Sequence, residues 1–241
     1  VGLTEAEVSG ALLCLDVTER VVDEAITKGC NLIVAHHPLI FRKLSQVTDA
    51  NYVQRTVIKA IKNDIVIVAM HTNLDAAFGG VNFKIAEKLR LRDVRFFGRE
   101  KVVTNPLTDK KVTGGDGVIG CFDTPLAADD LILLLKKEFD VECVQANELL
   151  RREIRTVALC GGSGSFLLQD AINAGADAFI TGEMGYHEFF GHEQEIQLCV
   201  IGHYQSEQYT TEVLRDVIER DCPGVKCCIS EINTNPIVYF S

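Results

Sequence analysis

Short apolar runs rich in β-branched residues alternate along this chain with stretches of helical periodicity, and that alternation restricts it to βα units feeding a largely parallel sheet. Ala11–Leu15 reads as a buried strand, Thr18 caps a helix over Glu19–Lys28 that Gly29 ends, and Leu32–Ala35 is a second strand. One complete βαβ unit therefore delivers His36 and His37 to the carboxyl end of its second strand. A helix over Tyr52–Lys62 and a strand over Ile65–Met70 deliver His71 in the same manner.

The pattern recurs late in the chain. Laid without a gap on Val157–Glu183, at an offset of 146, Ala11–His37 pairs Cys14 with Cys160, Ala25 with Ala171, Ile26 with Ile172, Gly29 with Gly175 and His37 with Glu183. A second offset, 132, sets Ile65–His71 over Gln197–His203 and places His71-x-x-x-Asp75 on His203-x-x-x-Glu207. The aligned polar positions are all types that bind metal, which supports two arms of one pseudo-symmetric site. Between the repeats the register changes: a strand near Phe96–Val103, a polar turn-rich stretch Asn105–Asp116, a strand Val118–Phe122, a helix Ala127–Phe139 and a strand Val141–Gln145. The expected division is a metal-binding α/β domain of residues 1–93 plus 195–241 and a second α/β domain over 94–194, with a mostly parallel mixed sheet.

Composition narrows the class. With 47% hydrophobic and 24% charged residues the chain should fold throughout. No apolar run approaches the roughly 20 residues of a membrane span, and a net charge of −10 argues against nucleic acid as the primary ligand. Nine scattered cysteines without a Cys-x-x-Cys pair suit reduced thiols, hence a cytoplasmic protein without disulfides or a thiolate zinc site; adjacent Cys227 and Cys228 read as strand filling. The chain opens on Val1 rather than methionine, which implies residues once preceded it.

Four of the six histidines, His36, His37, His71 and His203, follow strands where an open α/β sheet places its ligands. Successive strand residues point to opposite faces, so His36 and His37 can serve different metals only if the strand ends there and Pro38 turns the chain. His203 and Glu207, four apart, lean toward one point if a helix begins near Tyr204, and the argument repeats for His71 and Asp75. Imidazole with carboxylate suits borderline ions such as zinc, manganese, iron, nickel or cobalt. A bridging carboxylate lets such a set hold two ions about 3.5–4 Å apart, where they acidify a water and polarise the bond it attacks. Hydrolysis is the natural chemistry, with a non-enzymatic structural or metal-handling site as the rival. His187 is a candidate proton shuttle or supporting partner, whereas His192 reads as surface. Gly161-Gly-Ser-Gly-Ser165 joins a strand to a helix; it is either a tight turn or an anion cradle, and it lacks the lysine of a nucleoside-triphosphate loop.

The segments AHHPLIF (35–41), HTNLDAAFGGVN (71–82), CGGSGSF (160–166), ITGE (180–183) with YHEFF (186–190), and IGHYQSE (201–207) resemble the Ngg-interacting-factor-three-like proteins, labelled GTP cyclohydrolase 1 type 2 homologues. They span nearly the whole chain in order. The resemblance implies a dinuclear site of His36, His37, Asp75, His203 and Glu207; in the hydrolytic reading of that site, His71 or Glu183 is expected to orient the water or move protons. The resemblance also implies two intertwined pseudo-symmetric α/β repeats and a homo-oligomer, a ring-shaped hexamer made of dimers; the hydrolytic reading expects a nucleotide-like or phosphorylated small molecule as substrate. The large central insertion of some bacterial members is missing, and part of the usual N-terminal segment is expected to be lost.

Overall fold

The computed structural model describes residues 1–106 and 108–240. In chain order its elements are β1 (Ala11–Cys14), α1 (Glu19–Thr27), β2 (Leu32–Ala35), α2 (Tyr52–Lys62), β3 (Val66–Ala69) and the one-turn α3 (Thr72–Asp75). Then come α4 (Val81–Lys88), β4 (Arg92–Thr104), β5 (Lys111–Leu126), α5 (Ala128–Glu138), β6 (Gln145–Ala146), β7 (Ile154–Cys160) and α6 (Leu168–Asn173). The chain finishes with β8 (Ala178–Thr181), β9 (Gln197–Val200), α7 (His203–Glu207), α8 (Thr210–Asp221) and β10 (Cys227–Ile229).

These elements form two compact units, the first of Val1–Leu74 with Thr210–Val238, the second of Asp75–Tyr209 with the last residues from Tyr239. The first is built on a parallel four-stranded sheet in the order β10-β1-β2-β3. Its helices start where the chemistry of the chain allows. The Thr18 hydroxyl accepts the Val21 N–H at 3.4 Å, and Asn51 Oδ1 accepts the Gln54 N–H at 3.1 Å, satisfying donors that α1 and α2 would otherwise leave open. Val21, Val22 and Ala25 of α1 and Val57 and Ala60 of α2 turn inward onto Leu12, Cys14, Ile33 and Ile67 of the sheet. Cys227 and Cys228 lie in β10, and Cys228 packs on this core.

The second unit has a mixed six-stranded sheet, β4-β5-β7-β8-β9-β6, whose β7-β8-β9 centre is parallel. β9 hydrogen-bonds to β8, so residues 197–209 belong with this unit, whereas the sequence division assigned them to the other domain. Its core gathers Phe97, Ile119, Ala158, Leu167, Phe179 and Leu198.

The repeat is visible in the sheet registers. Ala11 pairs with Leu32, and Val157 pairs with Ala178, both at the expected offset of 146. The third strands depart from expectation: Leu32 pairs with Val66 but Ala178 with Gln197, an offset of 131 rather than 132. In the middle of the chain the polar stretch 105–116 is only partly a turn. The chain reverses around Asn105, whose carbonyl accepts the Asp109 N–H at 2.9 Å, and β5 is already extended by Lys111. Glycine makes that possible: a Cβ at Gly117 would come within 2.5 Å of the Phe97 ring on β4, so only a bare backbone lets the aromatic lie across the strand. The strand expected at Val141–Gln145 is reduced to Gln145–Ala146, paired antiparallel with β9.

Candidate metal centre

In the first unit β2 ends at Ala35, and the next two residues are His36 and His37, with Pro38 turning the chain away. His36 is fully buried. Its Nδ1 lies 2.9 Å from the carbonyl oxygen of Met70, at the end of β3. A carbonyl only accepts, so Nδ1 carries the proton and the lone pair sits on Nε2. His37 Nδ1 lies 2.8 Å from Asp16 Oδ1, just beyond β1, and the same reasoning leaves its lone pair on Nε2. His71 completes the group: its ring centroid is 5.4 Å from that of His36 and 5.5 Å from that of His37, and each of the three rings offers a nitrogen within 4.8 Å of the others. Three parallel strands thus bring three imidazoles to their carboxyl edge, two of them with Nδ1 hydrogen-bonded to an acceptor oxygen.

The second unit has a group of its own, in which carboxylates surround one imidazole. His203 opens α7, one residue sooner than expected, and Glu207 closes it. His203 Nδ1 donates to Glu183 Oε1 at 2.9 Å, while Nε2 lies 3.2 Å from Glu207 Oε2. The Glu207 hydrogen bond, with its charge and those of Glu183, raises the His203 pKa against the opposing effect of burial. Glu183 moves the other way. The Ser163 hydroxyl donates to it, which holds its carboxyl below the usual range despite partial burial, with the His203 ring assisting. Asp75 and Glu207 each offer a carboxylate oxygen within 4.8 Å of the other. Both act on Cys160, whose thiol burial first and these neighbouring carboxylates next push up to about 12.

This chemistry fits a divalent cation. Glu207 is only 4% exposed, and a second carboxylate so close to a buried one is costly unless positive charge offsets the pair. The imidazoles of the first unit and the imidazole with carboxylates of the second are each donor types suited to zinc, manganese, iron, nickel or cobalt.

The glycine-rich turn does not offer itself as an anion cradle. The N–H groups of Gly161, Gly162 and Gly164 donate to Asn82 Oδ1, Ser206 Oγ and Thr181 Oγ1 at 2.9, 3.0 and 3.0 Å, so the turn spends them tying β7 to α4, α7 and β8. Asn82 is almost fully buried and also donates to the carbonyls of Asp75 and Asp116, both at 3.2 Å. His187 is exposed and packs with Tyr186 and Phe190, and His192 Nδ1 pairs with Glu195 at 2.8 Å. Sequence reasoning missed Asp16, Asn82 and Ser163. Asp16 left a signal, because it follows the first strand as His36 follows the second; Asn82 and Ser163 lie inside the segments 71–82 and 160–166, but nothing local marks which of their neighbours they bond.

A GTP cyclohydrolase 1 type 2 homolog of Clostridium perfringens is 33% identical over 243 residues, covering 100% of this chain and 89% of the relative. The like-named protein of Lactococcus lactis is 31% identical, covering 98% and 88%. The crystal structure of a Staphylococcus aureus hypothetical protein matches at a TM-score of 0.88 and 28% identity, covering 100% of this chain and 90% of that one. The Duf34/NIF3 (NGG1p interacting factor 3) family model matches residues 1–236, and the chain belongs to that family.

Proposed function

We propose that this protein is a dinuclear divalent-metal protein that hydrolyses a nucleotide-like or phosphorylated small molecule, with His36, His37, Asp75, His203 and Glu207 as its metal ligands. The observation that carries the reading is the pair of histidines behind β2, each with Nδ1 committed to an acceptor, so that the remaining ring nitrogen is the donor atom. The buried Glu207 beside Asp75 supports it, as does the name borne by the relatives. His71 immediately precedes α3 and Asp75 closes it, so the two lie about one helical turn apart along the chain.

Bound divalent ions would acidify a water and polarise the scissile bond. The chain's own groups have separable tasks. Asp16 and the Met70 carbonyl hold the two adjacent imidazoles in register. Glu183, kept ionised by Ser163, accepts the His203 Nδ1 proton and orients that ring; His71 and Glu183 are the groups to move protons. All nine cysteines are free thiols, which supports work in the reducing cytoplasm, and no described helix is long and apolar enough to cross a membrane. The resemblance to the family carries the further reading of a hexameric ring.

Elemental analysis of protein purified without chelator, followed by a turnover screen over nucleotides and phosphoesters, tests this. Two ions per chain should be found, with metal content and turnover lost in Asp75→Ala. Equal metal content in a variant lacking both Asp75 and Glu207 removes the ligand assignment, and equal turnover by metal-stripped protein removes the mechanism.

A further inference from the structure

The two adjacent histidines are held by partners of different kinds. His36 Nδ1 donates to a backbone carbonyl, which no substitution can remove. His37 Nδ1 donates to the Asp16 side chain at 2.8 Å, and the other oxygen of Asp16 accepts the Thr234 hydroxyl at 2.6 Å. Thr234 lies in the stretch after β10, and 218 residues separate it from Asp16. That stretch has a second anchor: the Ser230 hydroxyl and the Glu231 N–H donate to the two oxygens of Glu24 on α1, at 2.5 and 2.8 Å. The stretch after β10 is therefore fastened at two points, to α1 and to the residue just beyond β1, and the Asp16–Thr234 contact is the one that bears on His37.

An ionised carboxylate between two donors has its rotation fixed by both. The hydroxyl proton of Thr234 is spent on Oδ2, which leaves Oδ1 aimed at the imidazole. Without Asp16, His37 Nδ1 loses the carboxylate that selects its protonated form, and the neutral ring by itself prefers neither tautomer strongly. Holding the proton on Nδ1 selects Nε2 as the donor and raises its basicity, the role of a carboxylate behind a metal-bound histidine.

We infer that Asp16 and Thr234 are positioning residues that hold His37 in its Nδ1-protonated tautomer, so that the C-terminal stretch helps set the affinity of the metal site. This rests on the metal reading above, but it makes a claim about the metal-free protein that can be checked alone.

The test uses the whole chain, stripped of metal, at a pH where the imidazoles are neutral. Histidine-selective 15N NMR should show His37 with Nδ1 protonated in the wild type and a mixture of tautomers in Asp16→Ala. Zinc affinity, read by competition with a fluorescent chelator, should fall about 10–100-fold in Asp16→Ala. It should fall less, about 3–10-fold, in Thr234→Val, which removes only the outer member of the relay. Thr234→Val keeps the side chain's shape, so a change there with an unaltered urea-unfolding midpoint separates positioning from folding. His37 protonated on Nε2 in the metal-free wild type overturns the inference, as does wild-type zinc affinity in both variants. A wild type with His37 protonated on Nδ1 that takes up no zinc sinks the metal reading instead and leaves the relay established as a structural device.

Discussion

The Cα of Gly162 faces the Glu207 carboxylate so closely that a Cβ built on it would stand 2.4 Å from Oε1. The same atom would lie 3.3 Å from His203 Nε2, and Gly162 has a φ of +59°. Two requirements meet at this position: a left-handed backbone and an empty space where any other residue has its first side-chain carbon. Gly162→Ala should therefore displace both α7 donors and add about 1–2 kcal/mol of backbone strain. Metal content should fall sharply while the protein still unfolds cooperatively in urea at a lower midpoint. Full metal content with wild-type stability would mean that the turn yields without disturbing the donors.

Glu207 governs the charge of His203. Its carboxylate is the leading cause of the raised His203 pKa, with burial opposing and Glu183 assisting. In metal-free Glu207→Gln the imidazole should titrate at a lower pH than in the wild type, moving back toward the ordinary value of about 6.5. Proton NMR titration of the His203 ring reads this directly. An unchanged midpoint would show that the 3.2 Å approach of Nε2 to Glu207 is not made in solution.

Away from the site, Asp177 makes the second unit sensitive to acid. Burial would raise its pKa, but the N–H groups of Thr156 and Arg155, at 2.8 and 3.0 Å, and the Arg152 guanidinium more than offset that and hold the carboxyl below the usual range. A carboxyl depressed in the folded state binds its proton first in the unfolded chain. Its contribution is complete above the unfolded value of about 3.9 and drains away as the pH falls through the depressed folded value. Urea denaturation of wild type and Asp177→Asn should thus differ most near neutral pH and converge in acid. A constant difference between pH 7 and the acid limit would contradict the assignment.

Much of the architecture could be read from local chemistry. The strand–helix–strand unit from Ala11 to Ala35 announces itself by an apolar run, a threonine cap and a glycine stop, and the first two strands of each repeat register at the offset of 146 that the residues suggest. Such features depend on neighbours a few positions apart. The placement of His36, His37 and His71 just beyond parallel strands follows from the same local reasoning.

Other features are decided only when distant segments meet. The one-residue difference in the third strands, 131 against 132, is set by which backbone groups pair across the sheet, not by side-chain pattern. β5 runs through a glycine-rich polar stretch because Phe96 and Phe97 of β4 cover it, a packing that propensity cannot anticipate. The glycine turn at 161–164 binds Asn82, Ser206 and Thr181 rather than standing open, and nothing within it forecasts those partners. Donor types and their strand-end positions are thus properties of the sequence itself, since local backbone periodicity fixes them. The protonated nitrogen of His37, the charge of His203 and the space left for Glu207 belong to the tertiary structure, because hydrogen bonding and burial act through space between residues that the chain keeps far apart.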